Sequence, residues 1–110
     1  MEKTLFEKIC DREIPADIVL EDELCIAFRD INPQAPMHIL VCPKKVISML
    51  SRSETQDAQL LGHLLLKASE IAAKEGYEDS YRVVINNGAE VGQTVFHLHL
   101  HILYLNYLPI

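Results

Sequence analysis

The chain holds only three cysteines in 110 residues and has no Cys-x-x-Cys pair. No apolar run approaches the ~18 residues of a membrane span, and the densest, Leu60 to Leu66, is broken by Gly62 and His63. Cys10, Cys25 and Cys42 are odd in number and widely spaced, which excludes a disulfide framework and fits a reducing, cytoplasmic setting. The first residues, Met1-Glu2-Lys3, carry charge too early for a signal peptide. Positive charge is also scarce: ten Lys and Arg face sixteen Asp and Glu, for a formal charge of −6. That balance excludes a broad basic face for nucleic acid, while a small anionic ligand needs only local donors. With four glycines, five prolines and 49% apolar residues, the composition is globular. No repeat, low-complexity tract or linker divides the chain, so residues 1–110 read as a single domain. Neither a Walker-type phosphate loop nor a carboxylate cluster for magnesium occurs, so metal-assisted phosphoryl transfer lacks its parts.

What is present reads as alternating helices and strands. Thr4-Leu5-Phe6-Glu7 has the pattern of a capping box and predicts a short helix, striped by Phe6, Ile9 and Cys10 and stopped by Pro15. Strands are predicted over Asp17–Glu21, Leu24–Arg29 and Met37–Cys42, the first two joined as a hairpin through Asp22 and Glu23. Asn32 to Pro36 carries two prolines and predicts a turn. A second capping box, Ser53 to Gln56, predicts a long helix that ends near Gly76. Its core stripe is Leu61, Leu64, Leu65, Ala68, Ile71 and Ala72; Leu60 and Leu66 widen it, most simply by core burial. Tyr81–Asn86 and Phe96–Leu105 predict two further strands. The order points to an α+β domain with a mostly antiparallel, five-stranded sheet.

Chemistry concentrates at His97-Leu98-His99-Leu100-His101. On a strand, side chains alternate, so His97, His99 and His101 share one face and Leu98, Leu100 and Ile102 the other. Three imidazoles on one face bring six ring nitrogens that need partners when buried, which argues for function. Two roles fit: metal ligation, with a further ligand from His38, His63 or a cysteine, or nucleophilic attack by one imidazole tuned by its neighbours. The preceding loop, Asn86 to Thr94, favours the second. Gly92 lets backbone amides approach an anion, and Gln93 and Thr94 add side-chain donors, which suits a phosphoryl group and offers zinc nothing.

His97 to Leu103 resembles the His-φ-His-φ-His-φ-φ signature (φ apolar) of the histidine-triad (HIT) superfamily. The likeness spans nearly the whole chain and is greatest to the Hint branch of nucleotide-binding proteins, through Leu5–Ile9, Glu13–Ala16, Ala27–Pro36, His38–Val41, Tyr81–Val84 and Gly92–His97. The resemblance implies a homodimer whose sheets join, a purine nucleoside monophosphate as ligand, and hydrolysis of nucleoside 5′-phosphoramidates. His99 would attack the α-phosphorus to form a nucleotidyl-histidine. His101 would contact the phosphate and move protons, while His97 and His38 would orient the nucleophile. By the same correspondence Asp30 and Ile31 hold the ribose. Leu5, Phe6, Ile9 and Ile14 form the base slot, and Asn86, Gly92, Gln93 and Thr94 surround the phosphate, Thr94 replacing the usual serine. Sister activities in the superfamily are dinucleoside-polyphosphate hydrolysis and non-catalytic nucleotide binding.

The chain departs from the branch in two places. Some relatives bind structural zinc through Cys-x-x-Cys and histidines, but Cys10 lacks that partner and Val46 stands where many carry His, so no metal and no cofactor is expected. After Leu103, Tyr104 to Ile110 stands where the branch usually has Gly-Gly-Arg. His63 lies outside every motif and reads as an incidental helix residue. Asp30, taken alone, reads as a carboxylate capping the turn that follows it.

Overall fold

The capping box at Thr4 forms in the computed structural model, which describes residues 2–106. The Thr4 hydroxyl accepts from the Glu7 amide and the Glu7 carboxylate accepts from the Thr4 amide, opening helix α1 (Leu5–Cys10). Strands β1 (Ile18–Glu21), β2 (Cys25–Arg29) and β3 (Met37–Pro43) follow, then helix α2 (Ala58–Lys74), β4 (Arg82–Val84) and β5 (Leu100–Tyr104). Asp22 closes the β1–β2 hairpin by accepting from the Leu24 and Cys25 amides, each at 2.8 Å. The sheet order is β1-β2-β3-β5-β4 and every pairing is antiparallel, so the α+β architecture is as expected.

Alternation along the strands divides the interior into two cores. On one face Ala27, Ile39, Val41, Leu100 and Ile102 meet Leu64, Ala68, Ile71 and Ala72 of α2. On the other, Ile26, Phe28, Leu40 and Cys42 meet Phe6 and Ile9 of α1. β3 is buried along its whole length. Burying side chains the size of Leu64 or Ile102 contributes about 1.5–3 kcal/mol each, which seats both helices. The second face, under the short helix, is where the site forms.

Several expectations shift on contact with the structure. The second capping box uses Glu54 and Asp57, not Ser53 and Gln56, and begins a short 3-10 turn (Thr55–Asp57) ahead of α2. Ser53 instead donates to the Leu50 carbonyl at 2.5 Å. Leu65 and Leu66 are 51% and 73% exposed, so the buried stripe of α2 is narrower than its apolar pattern. β4 keeps only three of its six predicted residues.

The last strand starts at Leu100 rather than Phe96, leaving His97 and His99 outside the ladder. Pro43 explains this. It ends β3, has no N–H to donate, and its carbonyl is taken by the His97 ring at 2.7 Å. Pairing with β5 therefore stops at Val41 opposite Leu100. Of the altered tail, Tyr104 ends β5; residues 107–110 lie outside the described residues. Among the described residues no helix is long and apolar enough to cross a membrane.

Candidate active site

Between α1 and the sheet lies a cavity of about 600 Å³. Leu5, Phe6 and Ile9 of α1 form one wall; Ile14 to Ala16, Phe28, Ile31 and Leu40 supply the other apolar groups, and Asp17, Arg29 and Asp30 add charged ones. Thr94, Val95, His99 and His101 close the polar end. Nine sequence-predicted residues are thus gathered here: Leu5, Phe6, Ile9, Ile14, Asp30, Ile31, Thr94, His99 and His101. A long apolar slot ending in two imidazoles and a hydroxyl suits a flat ring joined to an anionic group.

Hydrogen bonds fix which nitrogen of each imidazole carries the proton. Nδ1 of His99 lies 2.7 Å from the carbonyl oxygen of His97, which only accepts, so the proton is on Nδ1 and Nε2 keeps its lone pair. His97 has its Nε2 at 2.7 Å from the Pro43 carbonyl and its Nδ1 at 2.6 Å from the Thr4 hydroxyl. Nε2 therefore donates and Nδ1 accepts. His38 receives the Gln34 amide on Nδ1 at 3.0 Å, which places its proton on Nε2, 2.9 Å from Nδ1 of His101. The Nδ1 of His101 accepts in turn, and its Nε2 carries an N–H. One imidazole thus holds a free lone pair and the next a donor.

Burial keeps these rings neutral. His97 is fully buried and His99 nearly so, and desolvation draws both below the usual imidazole value of 6.5, against the raising effect of their backbone acceptors. His38 is lowered for the same reason, with Asp30 opposing. His101 is pushed down to about 4 by burial first, then by His99 and His38. Phe6 packs its ring 4.9 Å from His99 and 5.7 Å from His97, centroid to centroid, fixing their orientation.

Five predicted residues stand outside the cavity. His97 acts through its carbonyl and touches no part of the open space. His38 reaches His101, not the expected His99. Gln93 is buried; its side chain accepts from the Gly88 amide and donates to the Ser48 and Val95 carbonyls, so it staples the loop and offers nothing to a phosphate. Gly92 adopts φ +98°, a left-handed turn that suits glycine, and neither it nor Asn86 lines the cavity. Asp30 caps the turn after it, one oxygen accepting from the Asn32 amide at 2.8 Å, while its other oxygen lies 3.4 Å from His38 Nε2, a contact the sequence did not announce.

The sequence reading missed Phe28, Leu40 and Val95. The first two were accessible from strand parity, since they share the face of Ile26 and Cys42. It also missed that His63 is no incidental residue: its Nε2 donates to Asp22 at 2.7 Å and ties α2 to the hairpin turn.

Residues 11–106 match the family model described as HIT domain. The chain belongs to the HIT family. An uncharacterised HIT-like protein of Synechocystis is 66% identical over 102 residues, covering 93% of this chain and 90% of that one. Among solved structures, a HIT family hydrolase from Clostridium thermocellum superposes with a TM-score of 0.94 at 41% identity, covering 100% and 97% of the two chains. A HIT family hydrolase from Legionella pneumophila gives 0.89 at 45% identity, covering 92% and 91%. The HIT fold is thereby shown for this chain, and the two solved structures it superposes on are HIT family hydrolases.

Among the described residues two groups bring three metal-ligating atoms within 4.8 Å of one another: Asp30, His38 and His101, and Asp22, Cys25 and His63. In the first, the His38–His101 hydrogen bond occupies the nitrogens a cation needs. In the second, Asp22 already accepts from two amides on one oxygen and from His63 on the other, so both the carboxylate and the imidazole are engaged.

Proposed function

We propose that this HIT protein hydrolyses purine nucleoside 5′-phosphoramidates through a nucleotidyl-histidine on His99. The reading is carried by one observation: Nδ1 of His99 is committed to the His97 carbonyl, so the Nε2 lone pair is free at the polar end of the cavity. Imidazole is a good nucleophile toward phosphorus when neutral, and burial favours that form.

The purine lies between Leu5, Phe6, Ile9 and Ile14, and Asp30 with Ile31 takes the ribose. Nε2 of His99 forms a bond to the α-phosphorus as the P–N bond breaks, and the amine leaves with a proton taken from solvent, which the hydrolytic water of the second step returns. The Nε2–H of His101 donates to a phosphoryl oxygen, and the Thr94 hydroxyl adds a further donor. Water then attacks phosphorus and restores His99. Overall one water is consumed, giving a nucleoside monophosphate and an ammonium product. A homodimer belongs to this reading, joined along the edge strand β4, whose outer side has no partner among the described strands.

The test is turnover of adenosine 5′-phosphoramidate beside diadenosine polyphosphates, with mass spectrometry of quenched reactions. The expected result is preferential cleavage of the phosphoramidate, a nucleotidyl adduct on His99, and a loss of at least about 10³-fold in His99→Ala. Preferential polyphosphate cleavage, or AMP binding with wild type and His99→Ala equally inert, overturns it.

A further inference from the structure

We propose that Thr4, outside the cavity and outside the histidine motif, is a positioning residue for the nucleophile. The inference rests on the function proposed above and names a new participant in it. A hydroxyl has one proton, and that of Thr4 has one place to go. Its oxygen accepts from the Glu7 amide at 3.0 Å, and among the described residues the only other partner within hydrogen-bond reach is Nδ1 of His97 at 2.6 Å. Nδ1 must accept, because Nε2 of the same ring already donates to the Pro43 carbonyl.

Thr4 therefore fixes the tautomer of a ring that is fully buried and has no other route to satisfaction. The carbonyl of that same residue holds Nδ1 of His99. The sequence of bonds runs Glu7 N–H to Thr4 hydroxyl, Thr4 hydroxyl to His97 ring, and His97 carbonyl to His99 ring. If the Thr4 proton is removed, the His97 ring must rotate, slide or take up a second proton. Each alters the charge or packing of the residue whose carbonyl keeps the His99 lone pair aimed at the cavity.

The two duties of the hydroxyl can be separated by substitution. Thr4→Ser keeps both. Thr4→Asp still accepts from the Glu7 amide and so caps α1, but it has no proton to give and instead draws one onto Nδ1 of His97. Thr4→Val loses both.

Two measurements decide the matter. The first is kinetic: Thr4→Ser is expected within about 3-fold of wild type, while Thr4→Asp and Thr4→Val lose at least about 10-fold in kcat with KM little changed. Thr4→Asp should melt close to wild type, because its helix cap survives. The second needs no substrate: ring-nitrogen NMR should show His97 protonated on Nε2 and His99 on Nδ1 in wild type and Thr4→Ser. In Thr4→Asp, His97 should be protonated on both nitrogens or on Nδ1, with a mixed His99 signal. Wild-type rates and unchanged ring signals in Thr4→Asp overturn the proposal. If the wild type cleaves no phosphoramidate, the proposed function falls, and the NMR result alone still decides whether Thr4 sets the two rings.

Discussion

Nε2 of His38 and Nδ1 of His101 face each other at 2.9 Å, with one proton between them. The Gln34 amide, donating to the far nitrogen of His38, determines on which ring that proton sits. His101 consequently presents an N–H to the cavity, and the strand-to-strand register His38↔Leu103 and Leu40↔His101 brings the two rings together. In His38→Ala, Nδ1 of His101 loses its donor and both tautomers become populated. We expect kcat for phosphoramidate hydrolysis to fall by about 10-fold, the scale for one positioned donor weakened rather than removed, with KM altered less. Steady-state kinetics at pH 7 checks this, and an unchanged kcat would show that His101 needs no partner.

The four buried or half-buried imidazoles make a joint prediction about acid. His97, His99, His38 and His101 all sit below 6.5, and His101 falls to about 4. As pH drops below 6.5 the unfolded chain takes up protons before the folded one does, so stability is lost. For His101 that loss runs from 6.5 to about 4 and is complete below. The melting temperature should thus decline steadily from pH 7 to pH 4.5. Activity needs neutral His99, so the acid limb of kcat/KM should have its midpoint below 6.5. A midpoint at 7 or above would mean that His99 is not desolvated as its burial requires.

Local patterns were legible and long-range partners were not. The Thr4 capping box, the hairpin at Asp22 and the parity of His99 against Leu98 follow from spacing alone, because each is set within a few residues. The Phe96–His99 stretch looked like a strand because alternation is all that a sequence displays. Its departure depends on Pro43, far away in the chain, which ends the ladder and gives its carbonyl to His97. Gln93 misled for a related reason: an amide in a glycine-bearing loop looks the same whether it serves a ligand or the loop itself. Leu65 and Leu66 misled because helical periodicity shows which face is apolar, not how wide its partner is.

The tie between His63 and Asp22 should affect stability without affecting chemistry. It joins α2 to the hairpin turn, whereas the cavity lies on the opposite, α1 side of the sheet. In His63→Ala the Asp22 carboxylate keeps its two amide donors and regains water, so the loss should be about 0.5–1.5 kcal/mol. Urea denaturation reads that loss, and kcat/KM for the phosphoramidate should match wild type. A drop in kcat/KM at full folding would mean that the helix face communicates with the imidazoles.

Gln93 distinguishes a loop staple from a phosphate ligand. Its side chain joins Gly88 to Ser48 and Val95 through three hydrogen bonds of 2.8–3.0 Å while nearly fully buried. Gln93→Glu is close to isosteric and still accepts from the Gly88 amide, but it removes both donors and places a carboxylate beside two carbonyl oxygens. Leaving those acceptors unpaired should cost about 1–3 kcal/mol of folding stability, a larger effect than a surface contact to substrate could produce in the free protein. Thr94 and Val95, which line the cavity just beyond the staple, should then lose their fixed placement, so KM rises as well. Denaturation without ligand, followed by kinetics, separates the readings: a stability loss in the empty protein identifies the staple. A variant as stable as wild type and impaired only in binding would return Gln93 to the phosphate.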